Sequence, residues 1–251
     1  MPHQTIDIRT ADGVCPSHTF TPGGDGPWPG VLFFMDGLGV RPALFEIAEQ
    51  LAASGYYVML PDLYYRSGFT QGTILFQDPD VRAEWQKRVL PTVSIAKIMS
   101  DVPAFLEHLD SDRNVRPEKI GTTGYCLGGR MSFAAAGHFP DRIAAAASYH
   151  ASNLATDAPD SPHRLAAQIR ARVYVAGAIE DPGFDDAQKQ RLEEALTAAH
   201  VDHVVETYNA RHGFVPSDTP VHDAAATKRH WNTLLPLFEQ TLKGPTSRAS
   251  V

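Results

Sequence analysis

The run from Gly30 to Met35 reads Gly-Val-Leu-Phe-Phe-Met, with no polar side chain for either face of an extended strand. A strand with one wet face alternates apolar and polar residues. A continuous apolar run needs cover on both faces, which is the situation of a parallel sheet sheathed by helices. The next segment supplies such a helix. Pro42 opens a stripe of Leu44, Ile47, Ala48 and Leu51, and Gly55 closes it. The pattern then repeats along the chain. Strands are predicted at Tyr56 to Leu60, Lys119 to Thr123, Ile143 to Tyr149, Arg172 to Gly177 and His203 to Tyr208. Helical stripes fall at Ile95, Ile98, Met99, Val102, Leu106 and Leu109, with a kink expected at Pro103. Others follow Gly129, run through Leu192, Ala195, Leu196 and Ala199, and end with Trp231, Leu234, Leu235 and Phe238. Strands alternating with helices mean an α/β class with a mostly parallel central sheet and helices on both faces. No internal repeat or low-complexity tract interrupts it, so residues 1–251 are expected to form a single domain.

Two stretches escape the alternation. Residues 61–91 are rich in Gly, Asp and aromatic side chains and are expected to be a long pocket-side loop, a kind of segment that is usually functional. Residues 244–251 read as a frayed tail, and Thr21 to Pro29 as a surface loop. The net charge of −7, with acids and bases interspersed, disfavours nucleic acid and anionic membrane as partners. No apolar run approaches the ~18 residues that span a bilayer. The N-terminus shows no export signal, which points to the cytoplasm and to Cys15 and Cys126 as free thiols.

The most specific chemical signal is Gly124-Tyr125-Cys126-Leu127-Gly128-Gly129, set between a predicted strand and a predicted helix. A nucleophile on a sharp strand-to-helix turn needs small neighbours, because the turn is strained and closely packed. Here the nucleophile is a thiol, and the helix N-terminus behind it favours thiolate. A buried structural cysteine is the plain alternative; the flanking glycines argue against it. In this arrangement the orienting acid and then the histidine follow the nucleophile in the chain. Asp181 follows the strand ending near Gly177, although Glu180, Asp185 and Asp186 share the segment. His212 follows the strand ending at Tyr208. Both return to the carboxyl edge of the sheet, where ligands collect in open α/β folds. The N–H of Gly37, in Met35-Asp36-Gly37-Leu38-Gly39, joins that of Leu127 as a candidate oxyanion hole, with Asp36 beside the nucleophile. Neither a nucleotide-binding reading nor a metal hydrolase fits: the glycine turn follows several βα units, and no His-Glu-x-x-His is present. A non-catalytic or redox-sensing thiol protein on the same fold stays the alternative function.

At these residues the sequence resembles the dienelactone hydrolases (carboxymethylenebutenolidases). The resemblance rests on Gly124 to Gly129, on Pro61-Asp62-Leu63-Tyr64 and on the order Cys126, Asp181, His212, and it runs from about Val31 to Phe238. It implies an α/β-hydrolase fold without cofactor or metal, opening a lactone or small ester through an acyl-thiolate intermediate. It further implies Cys126 as nucleophile, His212 as base, Asp181 as orienting acid and Leu127 with Gly37 as oxyanion hole. Asp36 stands where the family carries a glutamate thought to activate the thiol. The family's arginine shortly after the histidine is replaced by Phe214-Val215-Pro216-Ser217. Arg66 or Arg82, from the long loop, is the candidate cation for a substrate carboxylate.

Overall fold

The structure, a computed structural model, describes residues 2–69 and 78–243. Its frame is one eight-stranded sheet: β1 (His3–Thr10), β2 (Gly13–Phe20), β3 (Trp28–Phe34), β4 (Tyr57–Pro61), β5 (Val115–Tyr125), β6 (Ile143–Tyr149), β7 (Arg172–Ala178) and β8 (His203–Tyr208). The spatial order is β1-β2-β4-β3-β5-β6-β7-β8. From β4 to β8 every neighbouring pair is parallel, with Leu32 opposite Met59 on one side of β3 and Thr122 on the other. Only β1 and β2 run antiparallel, as a hairpin joined to β4. The apolar run Val31 to Met35 is fully buried at the centre, as its lack of a polar face requires.

The described residues hold six α-helices: α1 (Pro42–Ala53), α2 (Pro79–Glu84), α3 (Ile95–Ser111), α4 (Leu127–His138), α5 (Asp186–Ala198) and α6 (Ala224–Phe238). Helices α3 and α4 pack together, and a 3₁₀ segment, Pro162–Gln168, links α4 to α5 in the same layer. On the other face lie α1 and α6, where Tyr56 meets Phe238 edge-on and Lys243 donates to the Ser54 carbonyl at 3.1 Å. Among the described residues no single helix is long and apolar enough to cross a membrane.

Three sequence expectations shift. Trp28 and Pro29 belong to β3 rather than to a loop, and β5 extends on both sides of Lys119 to Thr123. The segment 61–91 is helical from Pro79 onward: the Asp78 side chain accepts from the N–H groups of Asp80 and Val81, and Pro79 presets the first turn. Residues 70–77 and 244–251, which the loop and the tail include, lie outside the described residues.

Candidate active site

The turn between β5 and α4 holds Cys126 at φ 54° and ψ −115°, a left-handed conformation that costs a non-glycine residue roughly 1–3 kcal/mol. Its neighbours explain how the turn persists. A Cβ on Gly124 would lie 2.2 Å from the Gly128 carbonyl oxygen, and one on Gly128 would lie 2.1 Å from that of Phe34. Neither position admits a side chain, so the glycine spacing is a packing requirement of the elbow. The Cys126 N–H donates to the Tyr149 carbonyl at 3.0 Å, tying the turn to the end of β6.

Asp181 and His212 arrive from the next two strands. The Ile179 N–H donates to Ala210 O at 3.0 Å, which brings the segments after β7 and β8 side by side. His212 Nδ1 then lies 2.7 Å from Asp181 Oδ2, while Asp181 Oδ1 accepts from the Gly183 N–H at 2.9 Å. The Cys126 thiol lines the same cavity, near enough to His212 to bias its protonation. Burial disfavours charge on the imidazole. Asp181, hydrogen-bonded to the ring, and the neighbouring Cys126 outweigh it and raise His212 to about 10. For Asp181 burial acts upward, and the His212 partnership prevails and holds the carboxyl below its ordinary value. Asp181 and His212 therefore form a charged pair at the cavity that Cys126 also lines.

Cys126 and His212 open into a cavity of about 400 Å³. Asp36, Gly37 and Leu38 form one wall, and Arg82 and Trp85 another. Thr219, Pro220 and Val221 line it from the segment after His212. Leu127 is the first residue of α4, so its N–H has no partner within the helix. Among the described residues the Gly37 N–H is likewise free of a hydrogen bond. Gly37 lines the cavity with Cys126, and Leu127 is the residue that follows Cys126.

Asp36 has a different setting from the one its place in the chain suggests. Its carboxylate is clamped by Arg41, with Nη1 to Oδ1 at 2.6 Å and Nη2 to Oδ2 at 2.9 Å, and Oδ1 also accepts from the Leu38 N–H. Arg41 is itself buried and reaches Asp218 through Nε at 2.6 Å. Burial pushes the Asp36 carboxyl up, with Arg41 offsetting only part of that push. Asp36 lines the cavity with Cys126, and its charge is spent on a guanidinium.

The chain matches the dienelactone hydrolase family over residues 16–242. It belongs to that family. A candidate carboxymethylenebutenolidase of Synechocystis sp. is 27% identical over 252 residues, covering 95% of this chain and all of its own. The carboxymethylenebutenolidase of Rhodococcus opacus is 26% identical over 220 residues, 84% of this chain and 81% of its own. A crystal structure of a candidate dienelactone hydrolase from Klebsiella pneumoniae superposes with a TM-score of 0.81 at 22% identity, over 95% of this chain and 98% of its own. That likeness shows the fold, which is the α/β-hydrolase fold. At the family level the chain is a dienelactone hydrolase-like hydrolase.

The two arginines considered for a substrate carboxylate part company. Arg66 is away from the cavity lining: Nη2 and Nη1 bind the buried Asp101 at 2.7 and 2.8 Å, Nε binds Asp12 at 2.7 Å, and the guanidinium lies over the Tyr65 ring. Its charge is already answered inside the fold, which corrects the expectation that it faces substrate. Arg82 does line the cavity, is exposed, and makes no ion pair among the described residues. Sequence reasoning missed Trp85 and His150 in the walls and Arg41 behind Asp36. Arg41 meets Asp218 across 177 positions, a pairing no local pattern announces. His150 did carry a signal, since it directly follows β6 as His212 follows the segment after β8.

Proposed function

We propose that this member of the family hydrolyses a carboxylic ester or lactone of a small molecule through Cys126, His212 and Asp181, without a cofactor. The observation that carries the reading is His212, 2.7 Å from Asp181 through Nδ1 and lining one cavity with Cys126 and Gly37. The Cys126 proton passes to His212, whose raised basicity suits it to accept, and the sulfur attacks as thiolate. The Cys126 sulfur forms a bond to the acyl carbon, and the carbonyl electron pair moves to oxygen between the N–H groups of Gly37 and Leu127. As the carbonyl re-forms, the bond to the leaving oxygen breaks and His212 gives that oxygen its proton. In a lactone the released enol or alcohol stays tethered to the acyl group. A water molecule then gives a proton to His212 and its oxygen to the acyl carbon, and the thiolate leaves. Asp181 holds the imidazole in one orientation and stabilises its charge throughout. Arg82 is the candidate anchor for a carboxylate on the substrate.

Nitrophenyl esters test the reading cheaply. Turnover should be abolished both by iodoacetamide modification of Cys126 and by Cys126→Ala, with the fold retained by circular dichroism. Undiminished turnover in Cys126→Ala would sink the mechanism. A thiol that titrates with peroxide while no ester is hydrolysed would favour the redox-sensing alternative.

A further inference from the structure

The proposed mechanism leaves a second histidine of the cavity unused. His150 follows β6 directly, and its N–H donates to Ala176 O at 2.7 Å. Its backbone sits at φ 38°, in the left-handed region that favours glycine or asparagine. The residue is 1% exposed, and neither ring nitrogen has a hydrogen-bond partner among the described residues. Its ring centroid lies 5.2 Å from that of His212, 4.9 Å from Phe214 and 5.8 Å from Tyr125. Burial, with His212 alongside, holds this imidazole well below its ordinary value and keeps it neutral.

A buried imidazole with both nitrogens unpaired is a cost that a phenyl ring of the same shape would avoid. What remains is a partner that arrives from outside. His150 lines the cavity that Cys126 opens into, and its nitrogens present no surface there at rest, so a partner from the cavity is met when the ring turns. An imidazole meets it by turning about its terminal torsion, which is soft and roughly twofold. Resting on the hydrolase reading above, we propose that His150 is a specificity-determining residue that hydrogen-bonds a hydroxyl group near the scissile carbonyl, so that the favoured substrates are hydroxyacyl esters or lactones. Neutral imidazole presents one N–H and one lone pair, and a hydroxyl presents the same two. A carboxylate only accepts and is matched by Arg82 at the exposed side of the cavity. Proximity to the reacting carbon follows from the chain: Tyr149, the residue before His150, accepts the Cys126 N–H.

The test compares phenyl 2-hydroxypropanoate with phenyl 2-methylpropanoate, which differ by hydroxyl for methyl, as kcat/KM corrected for their alkaline hydrolysis rates. Wild type should favour the hydroxy ester by about tenfold, the usual worth of a buried hydrogen bond whose partner would otherwise go unpaired. His150→Phe should bring the ratio near one, and His150→Gln, which keeps a donor and an acceptor, should restore part of it. A wild-type ratio near one overturns the proposal without any variant, and so does a ratio that survives His150→Phe. Lactamide and isobutyramide, tested as protectants of Cys126 against iodoacetamide, give a readout independent of turnover. Selective protection by lactamide without ester hydrolysis would retain the His150 contact and reject the hydrolase reading. Equal protection by both amides would reject the contact.

Discussion

Cys15 and Cys126 carry the same functional group in opposite surroundings. Cys15 lies within β2, completely buried, with its sulfur 3.4 Å from Asp62 O and 3.8 Å from Ser17 Oγ. Burial is the main reason its thiol is pushed up to about 12. Cys126 stands on a strained turn at a helix N-terminus, open to a cavity it shares with a histidine that a carboxylate supports. Both are free thiols. The contrast locates reactivity in the surroundings of the sulfur: burial keeps the Cys15 thiol protonated although Ser17 acts the other way, whereas the Cys126 sulfur opens to a cavity beside His212.

Alkylation in the folded protein should show the largest difference. At pH 8 a thiol with a pKa of about 12 is ionised to roughly one part in ten thousand, and the Cys15 sulfur is also closed to reagent. Iodoacetamide followed by peptide mass analysis should therefore modify Cys126 at least about a thousandfold faster than Cys15. In guanidinium chloride the two rates should converge. Comparable rates in the folded state would erase the contrast.

Asp181→Asn attacks the support of one thiol and leaves the other alone. Ester turnover should fall by about two to four orders of magnitude, in line with loss of a triad acid. Stability supplies a second readout with a definite sign. His212 is raised to about 10, so its contribution is complete below its unfolded value near 6.5 and is lost as pH rises through about 10. Asp181 is lowered, so its contribution is present above its unfolded value near 3.8 and fades on acidification. The melting-temperature gap between wild type and Asp181→Asn should be widest near pH 5 and shrink towards pH 10. A gap that grows with pH would contradict the His212–Asp181 pairing.

The active half of this contrast was more legible in sequence than the inert half. Cys126, Asp181 and His212 each sit at a strand end, and strands with continuous apolar runs announce themselves. The glycines around Cys126 are equally visible because backbone packing forbids any other residue at Gly124 and Gly128. Cys15 belongs to the β1–β2 hairpin, which was not anticipated. Its strands lie at the sheet edge, expose most of β1, and include Pro16, so they lack both the apolar run and the uninterrupted ladder of an inner strand. The cavity walls were harder still. Helix α2 is set by a local cap on Asp78 and buries no residue of its own, so no apolar stripe marks it. The fate of Arg66 depends on Asp101, whose burial no neighbouring pattern reveals.

The smallest effect concerns Asp36, the carboxylate on the Cys126 side of the contrast. An unpaired aspartate in the cavity would repel a thiolate strongly, because charges within about 4–6 Å in a buried site shift ionisation by whole pH units. Here Arg41 binds both carboxylate oxygens and bridges to Asp218, so Asp36 contributes one end of a compact ion cluster and little field beyond it. Asp36→Asn retains the shape and the Leu38 N–H contact while removing the charge. Its alkylation rate at Cys126 should stay within about tenfold of wild type at pH 7, with the rate at Cys15 unchanged. Arg41→Met is the informative partner, since removing one member of a buried pair typically costs about 3–5 kcal/mol and would appear in the denaturant midpoint. A hundredfold or larger rise in Cys126 alkylation on Asp36→Asn would mean that the aspartate itself controls the thiol and that Arg41 does not screen it.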